Sequence, residues 1–471
     1  MVRSVMIRSW GRTSSTLVLL VGLGAMSNRA DAGDFAWGAG YIGEYTTNAT
    51  LSRANQIHDW INTGLLGFGY RELTGDVQAF VQATAEYRNY ARGTYPDYTT
   101  GIADAFGIWH VAPGQFAWLA EDTYRQLQRT ATAPATPDNF TNVNVISTGP
   151  DVLLRFTPVS ALQIGGRVGS VNERGGDADN VNFGYYGRLL YVTSPTTVLS
   201  LNFEQLSVNM ANDVAYTDYT RYDAFFAISQ NTPTSAFSLD LGRTLLQRER
   251  GDDLVGNRGR LFWNRQATIE TGYGLAARAG YGDSGTDLLG ASRFFTGAPT
   301  SADLLLTSRR TAPPSTLSTL ALTGGPTGTI SGDIYFDKRV DVYVYSGYAG
   351  ATTVGTGLRG FWQKLDYETT PNDRTEYGGY AEVFRPFYYQ LIGTLFANGR
   401  RIEFTDIARD DTEWQAGVRL QFRYSADVLI FLEGRHTERS SSDPAFEYKE
   451  TRGLISISYS TAPFYNPMLT R

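Results

Sequence analysis

The sequence predicts one all-β domain, a single transmembrane antiparallel up-and-down β-barrel of about 18–20 strands with short periplasmic turns and long extracellular loops. Three observations predict it: the composition, a two-residue alternation along most of the chain, and connections that alternate in length. Of the 471 residues, 42% are hydrophobic, 13% aromatic and 19% charged, and none is cysteine. Soluble domains are about 25% charged, so this chain carries less charge than a typical soluble domain. Disordered chains are poor in aromatic residues and disulfide scaffolds need cysteine, so both classes are excluded.

The first 32 residues have the pattern of a secretory signal peptide. Arg3, Arg8 and Arg12 precede an apolar stretch over residues 17–26, and Ala30 and Ala32 form a small-x-small exit. A membrane-anchoring helix is the alternative, but the apolar stretch is shorter than the roughly 20 residues that span a bilayer. We therefore expect a signal peptide over 1–32 and a barrel domain over 33–471.

Residues 413–424 (EWQAGVRLQFRY) show the alternation most clearly. Trp414, Val418 and Leu420 share one face of a predicted strand, and Glu413, Arg419 and Arg423 share the other. Similar segments recur after Gly33, whereas helical periodicity is nearly absent. A soluble sandwich or propeller is the competing architecture. The predicted strands are longer than those of globular sheets, one face carries charge along whole strands, and aromatic residues gather at strand ends, so a membrane barrel is favoured.

The connections between the predicted strands are of two kinds. Short turns rich in Gly, Pro, Asn, Asp and Ser are predicted at 73–76, 111–115, 157–160, 193–196, 231–235, 385–387 and 425–427. Longer polar stretches are predicted at 130–145, 172–180, 248–258, 284–330 and 405–411. Short turns on one side and long loops on the other are typical of outer-membrane barrels, with the short side in the periplasm. An even number of strands places both termini there.

The alternation also predicts which charged side chains point into the lumen. This predicted lining consists of Arg155, Arg167, Arg188, Glu204, Asp240, Arg419, Arg423, Glu433 and Arg435. Arg and Glu on neighbouring strands can form cross-strand ladders that fix the register. The same side chains can select solutes in a water-filled pore. The sequence leaves both interpretations open.

Other chemistry has little support in the sequence. The three histidines, His58, His110 and His436, are too far apart in sequence to indicate a metal site, and we expect no metal and no cofactor. Residues 283–287 and 405–411 are acidic enough to suggest Ca²⁺, although a solvated loop or one that bridges lipopolysaccharide is favoured. The net charge of −6 argues against nucleic-acid binding. The expected surroundings are outer-membrane lipid and lipopolysaccharide, and the oligomeric state is open.

Several segments resemble one family when taken in chain order. They are residues 40–52 (GYIGEYTTNATLS), 116–124 (FAWLAEDTY), 142–151 (NVNVISTGPD), 409–412 (RDDT) and 435–448 (RHTERSSSDPAFEY). Together they resemble the β-barrel porins that are encoded beside exopolysaccharide and PEP-CTERM (exosortase) gene clusters. The resemblance implies an outer-membrane pore or accessory protein for a surface polysaccharide, with the polysaccharide and its export machinery as partners. It brings no catalytic residues.

Three functional hypotheses follow. The first is a non-enzymatic outer-membrane barrel that serves exopolysaccharide export or assembly. The second is a general diffusion porin for small hydrophilic solutes. The third is a barrel enzyme acting on lipid or glycan, which would need a base such as His110 beside a nucleophile on a neighbouring strand. Because no such constellation is visible in the sequence, we expect no enzymatic activity.

Overall fold

The chain forms a closed sheet whose strands follow one another in order. The computed structural model describes residues 33–72, 75–130, 133–176, 178–212, 217–268, 270–285, 330–347, 354–388, 390–462 and 465–468. The predicted signal peptide over 1–32 lies outside these residues, as does most of 284–330. The described residues form 20 strands, which confirms the predicted fold class and lies at the upper end of the predicted count.

The strands have the following bounds. The first ten are β1 (Asp34–Thr46), β2 (Asp59–Glu72), β3 (Val77–Tyr90), β4 (Tyr98–Ala112), β5 (Phe116–Gln128), β6 (Phe140–Thr157), β7 (Ser160–Glu173), β8 (Asn180–Ser194), β9 (Thr197–Met210) and β10 (Tyr219–Asn231). The second ten are β11 (Ser235–Arg248), β12 (Leu254–Gln266), β13 (Gly272–Gly282), β14 (Tyr335–Ser346), β15 (Gly355–Tyr367), β16 (Arg374–Tyr388), β17 (Leu391–Phe404), β18 (Asp410–Arg423), β19 (Val428–Ser441) and β20 (Tyr448–Ser460).

Each strand pairs antiparallel with the next, and β20 pairs with β1 from Gly38–Ser460 to Thr46–Arg452. This seam closes the sheet and leaves no free edge. One rim carries connections of two to eight residues and holds the start of β1 and the end of β20; we call it the turn rim. The opposite rim, the loop rim, carries longer connections, including 47–58 and 283–334.

Register shifts gather at the turn rim. They lie between Trp109 and Ala112, Arg155 and Thr157, Val192 and Ser194, and Pro386 and Tyr388. The prediction of a turn at 385–387 was wrong, because Pro386 lies within β16, which continues to Tyr388 before the chain turns. Proline lacks an N–H donor and is tolerated in a sheet at such a bulge. The predicted loop at 130–145 is also shorter than expected, since β6 begins at Phe140.

The two faces of the sheet differ in polarity. The outer face carries exposed apolar side chains, such as Leu66, Leu201 and Leu395. Aromatic residues border this band on single strands, for example Trp37 and Tyr45 on β1. These two lie eight residues apart, which is about 26 Å along the strand and about 20 Å once it is tilted by about 40°.

The inner face is polar, because its charged and hydrogen-bonding side chains pair with one another across strands. Only a closed barrel satisfies every backbone group of a sheet in lipid. An apolar exterior, aromatic borders and a polar interior fit the bacterial outer membrane, so we place the chain there. The described residues include no helix of sufficient length and apolarity to cross a bilayer.

Candidate functional site: the inner wall of the barrel

The strand register gives the direction of every predicted lining residue. All nine lie on the inner face: Arg155, Arg167, Arg188, Glu204, Asp240, Arg419, Arg423, Glu433 and Arg435. Arg155 and Arg423 stand near the turn rim and are exposed. Six of the other seven form ion pairs deeper in the barrel, and Asp240 is buried there. Whether these residues act on a solute stays a prediction.

One network joins β8 to β12 through alternating charges. Glu204 lies between two guanidinium groups, with Arg188 Nη2 at 3.0 Å and Arg258 Nη1 at 3.0 Å. Arg258 Nη1 also lies 2.9 Å from Asp223, whose carboxylate is 3.0 Å from Arg221 Nε. Each charged group in this network therefore has an opposite charge within 3.0 Å, which offsets the cost of removing it from bulk water.

A second cluster continues this network onto β6 and β7. Arg167 Nη2 donates to Asp151 at 2.7 Å, and the Tyr186 hydroxyl donates to the same carboxylate. The Arg188 guanidinium lies 4.4 Å from the centre of the Tyr186 ring, within the range of a cation–π contact. Arg167 and Arg188 are nearly buried, with 4% and 5% of their side chains exposed. This part of the wall is therefore a tightly held structural band.

A third network lies on β13 to β15. Arg278 Nε is 2.5 Å from Asp337, and Asp341 accepts from Arg339 at 2.7 Å and from Arg359 at 2.6 Å. The register also places three arginines in one cross-strand row. Arg260 on β12 stands opposite Arg278 on β13, which stands opposite Arg339 on β14. We call these three residues the arginine row.

The lumen contains charged side chains that remain open to water. Arg419 on β18 forms an ion pair with Glu433 at 2.7 Å yet keeps 42% of its side chain exposed. Arg125, on the inner face of β5, pairs with Asp104 at 2.9 Å and is 47% exposed. Glu433 also pairs with Arg435 at 3.3 Å. Water therefore reaches the wall on two well-separated groups of strands, β5 and β18–β19.

A buried cluster at the loop rim holds the β17–β18 connection against the β19–β20 connection. Asp411 Oδ2 lies 2.6 Å from Arg409 Nη2 and 2.5 Å from Arg439 Nη2. The Arg409 guanidinium lies 3.4 Å from the centre of the Phe446 ring. Two guanidinium groups thus occupy Asp411, one of the three carboxylates that the 405–411 segment would offer a cation. This arrangement disfavours the Ca²⁺ alternative there.

The chain beyond β20 turns back into the barrel. Thr461 N–H donates to the Trp37 carbonyl at 3.0 Å, and the Tyr465 hydroxyl donates to the Ala83 carbonyl at 2.9 Å. The same hydroxyl lies 2.9 Å from Thr84 Oγ1, on the inner face of β3. Burial raises the pKa of Tyr465, so the hydroxyl stays protonated and able to donate. We call residues 461–468 the C-terminal strap; 463 and 464 lie outside the described residues.

The described ends of the long connection between β13 and β14 also lie against the inner wall. Ile330 packs with Val143 and Val171, and its N–H donates to the Gln128 carbonyl at 2.9 Å. At the other end, the Tyr219 hydroxyl donates to Asp283. This connection therefore enters the lumen at both of its described ends. The predicted loop at 284–330 otherwise lies outside the described residues, as do residues 286 and 287 of the acidic 283–287 segment.

The three histidines lie at separate places in the barrel, and each has its own contacts. His436 Nδ1 lies 2.9 Å from Thr451 Oγ1, and His58 lies beside the Tyr45 ring. His110 sits at the bulge of β4, where its N–H donates to the Asp76 carbonyl at 2.6 Å. Within the described ranges, no three His, Asp or Glu side chains are grouped as metal ligands would be. The expectation of no enzymatic activity stays a prediction.

Sequence reasoning missed part of the inner wall. It did not single out Arg221, Asp223, Arg258, Arg260, Arg278, Asp337, Arg339, Asp341 and Arg359. Arg258 falls in the predicted 248–258 loop, which is shorter than expected because β12 begins at Leu254. Arg260, two residues further along β12, carried the same alternation signal as the residues that were named. The strap was missed as well. Its signal was a small, apolar inward face at Ala36 and Gly38, which a water-filled lumen does not require.

Comparisons with known proteins give only a distant likeness. No protein-family model matches the sequence, and no curated protein matches it. Three similar solved structures are the outer membrane protein OpdK from Pseudomonas aeruginosa (12% identity, TM-score 0.36, 91% of this chain and 99% of that chain), OccK2 (OpdF) from Pseudomonas aeruginosa in complex with glucuronate (10%, 0.39, 91% and 98%), and the FrpB iron transporter from Neisseria meningitidis in its apoprotein form (8%, 0.47, 90% and 81%). Because the TM-scores are below 0.5 and the identities are low, these likenesses assign neither a fold nor a function to this chain. Its assignment as a barrel depends on its own strand pairing.

Proposed function

We propose that this chain is an outer-membrane porin for small hydrophilic solutes, with a preference for anions. The observation that carries the proposal is a charged inner wall that stays wet inside an apolar barrel. Arg125 and Arg419 face inward from widely separated strands and keep more than two fifths of their side chains exposed. A wet, charged lumen lets hydrated solutes pass and distinguishes them by charge.

The arginine row supports the preference for anions. Like charges directly opposite one another destabilise a sheet, so this row has a structural cost. On the inner face of β11–β15, six arginines face three aspartates: Arg248, Arg258, Arg260, Arg278, Arg339 and Arg359 against Asp240, Asp337 and Asp341. Glu204 on β9 and Asp223 on β10 offset Arg258, and Glu368 just after β15 lies 3.4 Å from Arg248. An excess of positive charge remains on this wall and favours a passing anion.

Planar-bilayer recordings of the purified barrel test the proposal. We expect an ohmic current whose reversal potential in a KCl gradient shows a preference for Cl⁻ over K⁺. The double variant Arg260→Gln/Arg278→Gln should move the reversal potential towards that of a cation-preferring pore. Lys338→Gln is the matched control, because Lys338 lies on β14 but faces outward. The control should leave selectivity unchanged.

The possible outcomes separate the two parts of the proposal. Absence of current from the wild-type barrel contradicts the porin. A current whose selectivity is the same in the double variant contradicts only the anion preference.

A role in exopolysaccharide export or assembly is a narrower proposal that depends on the sequence resemblance alone. Its test is deletion of the gene, followed by measurement of secreted polysaccharide. A reduced amount or a changed chain length would support it. Unchanged amount and chain length, together with a weakly selective current in bilayers, would favour the general porin.

A further inference from the structure

We infer that the C-terminal strap is a built-in constriction, which docks inside the barrel near the turn rim and narrows the solute path. The inference rests on the proposed porin function for its consequence. The docking itself rests on contacts between the strap and the inner faces of β1, β2 and β3.

The strap is held at several points along its described length. Thr461 continues the seam next to Trp37, through the N–H bond at 3.0 Å and a second bond from Trp37 N–H to Thr461 Oγ1 at 2.9 Å. The Ser460 hydroxyl donates to the Tyr465 carbonyl and so fixes the return of the chain. Tyr465 is 2% exposed and bonds with Thr84 and Ala83 on β3. The Thr461 bonds therefore fix where the strap leaves the seam, and the Tyr465 hydroxyl bonds to β3 place it in the lumen.

The wall under the strap is shaped to receive it. Gly67 and Gly69 are inward positions of β2, and Gly38 is an inward position of β1. A Cβ at Gly69 would lie 2.8 Å from Tyr465 Cβ, and one at Gly38 would lie 2.7 Å from Pro467 Cδ. A side chain at any of these positions would require the strap or the wall to shift. Glycine lets the backbone of the wall and the strap approach each other closely.

The polarity of this wall supports the same conclusion. Elsewhere the inner face carries Arg, Asp and Glu, but the inward positions of β1 nearest the turn rim after Asp34 are Ala36, Gly38 and Gly40. Ala36 is fully buried. A small, apolar surface gains no stability from facing water in the lumen. The Tyr465 ring and Pro467 can instead pack on it and keep it dry. The strap therefore occupies part of the cross-section of the lumen through which solutes would otherwise pass.

A disulfide pair tests docking and constriction in the same protein. The chain has no cysteine, so Gly69→Cys/Tyr465→Cys introduces the only two thiols, at positions whose Cβ atoms are within reach of a disulfide after a small shift. We expect the crosslink to form in outer membranes. We also expect reduction to raise the single-channel conductance about 1.5-fold, because the released strap opens cross-section.

Gly64→Cys/Tyr465→Cys is the matched control. Gly64 lies on the same strand but faces outward, and a Cβ at this position would meet no atom within 4 Å. This variant should not crosslink within the barrel and should conduct equally with and without reductant. Deletion of 463–471 is a second variant that keeps Thr461 and the seam, and it should conduct like the reduced pair. Heat-modifiable migration on gels confirms that each variant is folded.

The outcomes distinguish three failures. A folded Gly69→Cys/Tyr465→Cys barrel that does not crosslink overturns the docking. A crosslink that leaves conductance the same in oxidised, reduced and deleted forms overturns the constriction while the porin stands. Absence of current from every form, including the deletion, overturns the porin and the constriction with it.

Discussion

Asp411→Ala is expected to lower the free energy of unfolding by about 3–5 kcal/mol, because it leaves two buried guanidinium groups without their shared counter-charge. Asp411 is 1% exposed, and both Arg409 and Arg439 lie within 2.6 Å of it. Denaturant titration in detergent, followed by the fluorescence of the seven tryptophans after the predicted signal peptide, measures the change.

Asp410→Ala is the control for this prediction. Asp410 precedes Asp411 in the chain but faces outward, keeps 55% of its side chain exposed and lies 3.5 Å from Arg401. Exposed ion pairs contribute about 0–1 kcal/mol, so this variant should unfold almost like the wild type. Equal stability of the two variants would show that the Asp411 cluster does not hold the rim.

Glu204→Ala is expected to have the second largest effect, with a loss of about 2–4 kcal/mol, since it removes the link between two inward arginines. The loss should be smaller than for Asp411, because Arg258 retains Asp223 at 2.9 Å. The freed positive charge should also strengthen the preference for anions. Denaturant titration and the reversal potential measure the two effects on the same preparation.

Glu403→Ala is the matched control for the second prediction. Glu403 faces outward on β17 and pairs with Arg401 at 3.1 Å, and both side chains are more than two fifths exposed. It should change neither stability nor selectivity. A Glu204→Ala barrel with wild-type selectivity would mean that passing ions do not sense this part of the wall.

The sequence predicts the faces of the strands well because each face is a local property. The alternation in 413–424 places Trp414 outside and Arg419 inside, as the register of β18 shows. The same signal is weaker where small residues occupy the outer face. Pro386 misled the turn prediction, because proline marks a turn and a bulge alike.

The partners of each charge could not be predicted from the sequence. Glu204 and Arg258 are 54 residues apart, and their contact depends on the register of three successive strand pairs. The docking of the C-terminal strap was even harder to predict from the sequence. Tyr465 bonds to Ala83 across 382 residues, and that contact exists only once the sheet has closed. Such non-local geometry leaves only indirect marks in composition, such as an inner face of alanine and glycine.

The order of assembly follows from the seam. β1 and β20 lie at opposite ends of the chain, so their pairing has the greatest sequence separation in the sheet, and contacts of this kind form late in folding. The cradle of the strap lies on β1–β3, whereas the strap follows β20 directly. The strap can therefore seat only after the seam has joined. The rate at which Gly69→Cys/Tyr465→Cys becomes crosslinked during refolding therefore reports how fast the last step of barrel closure occurs.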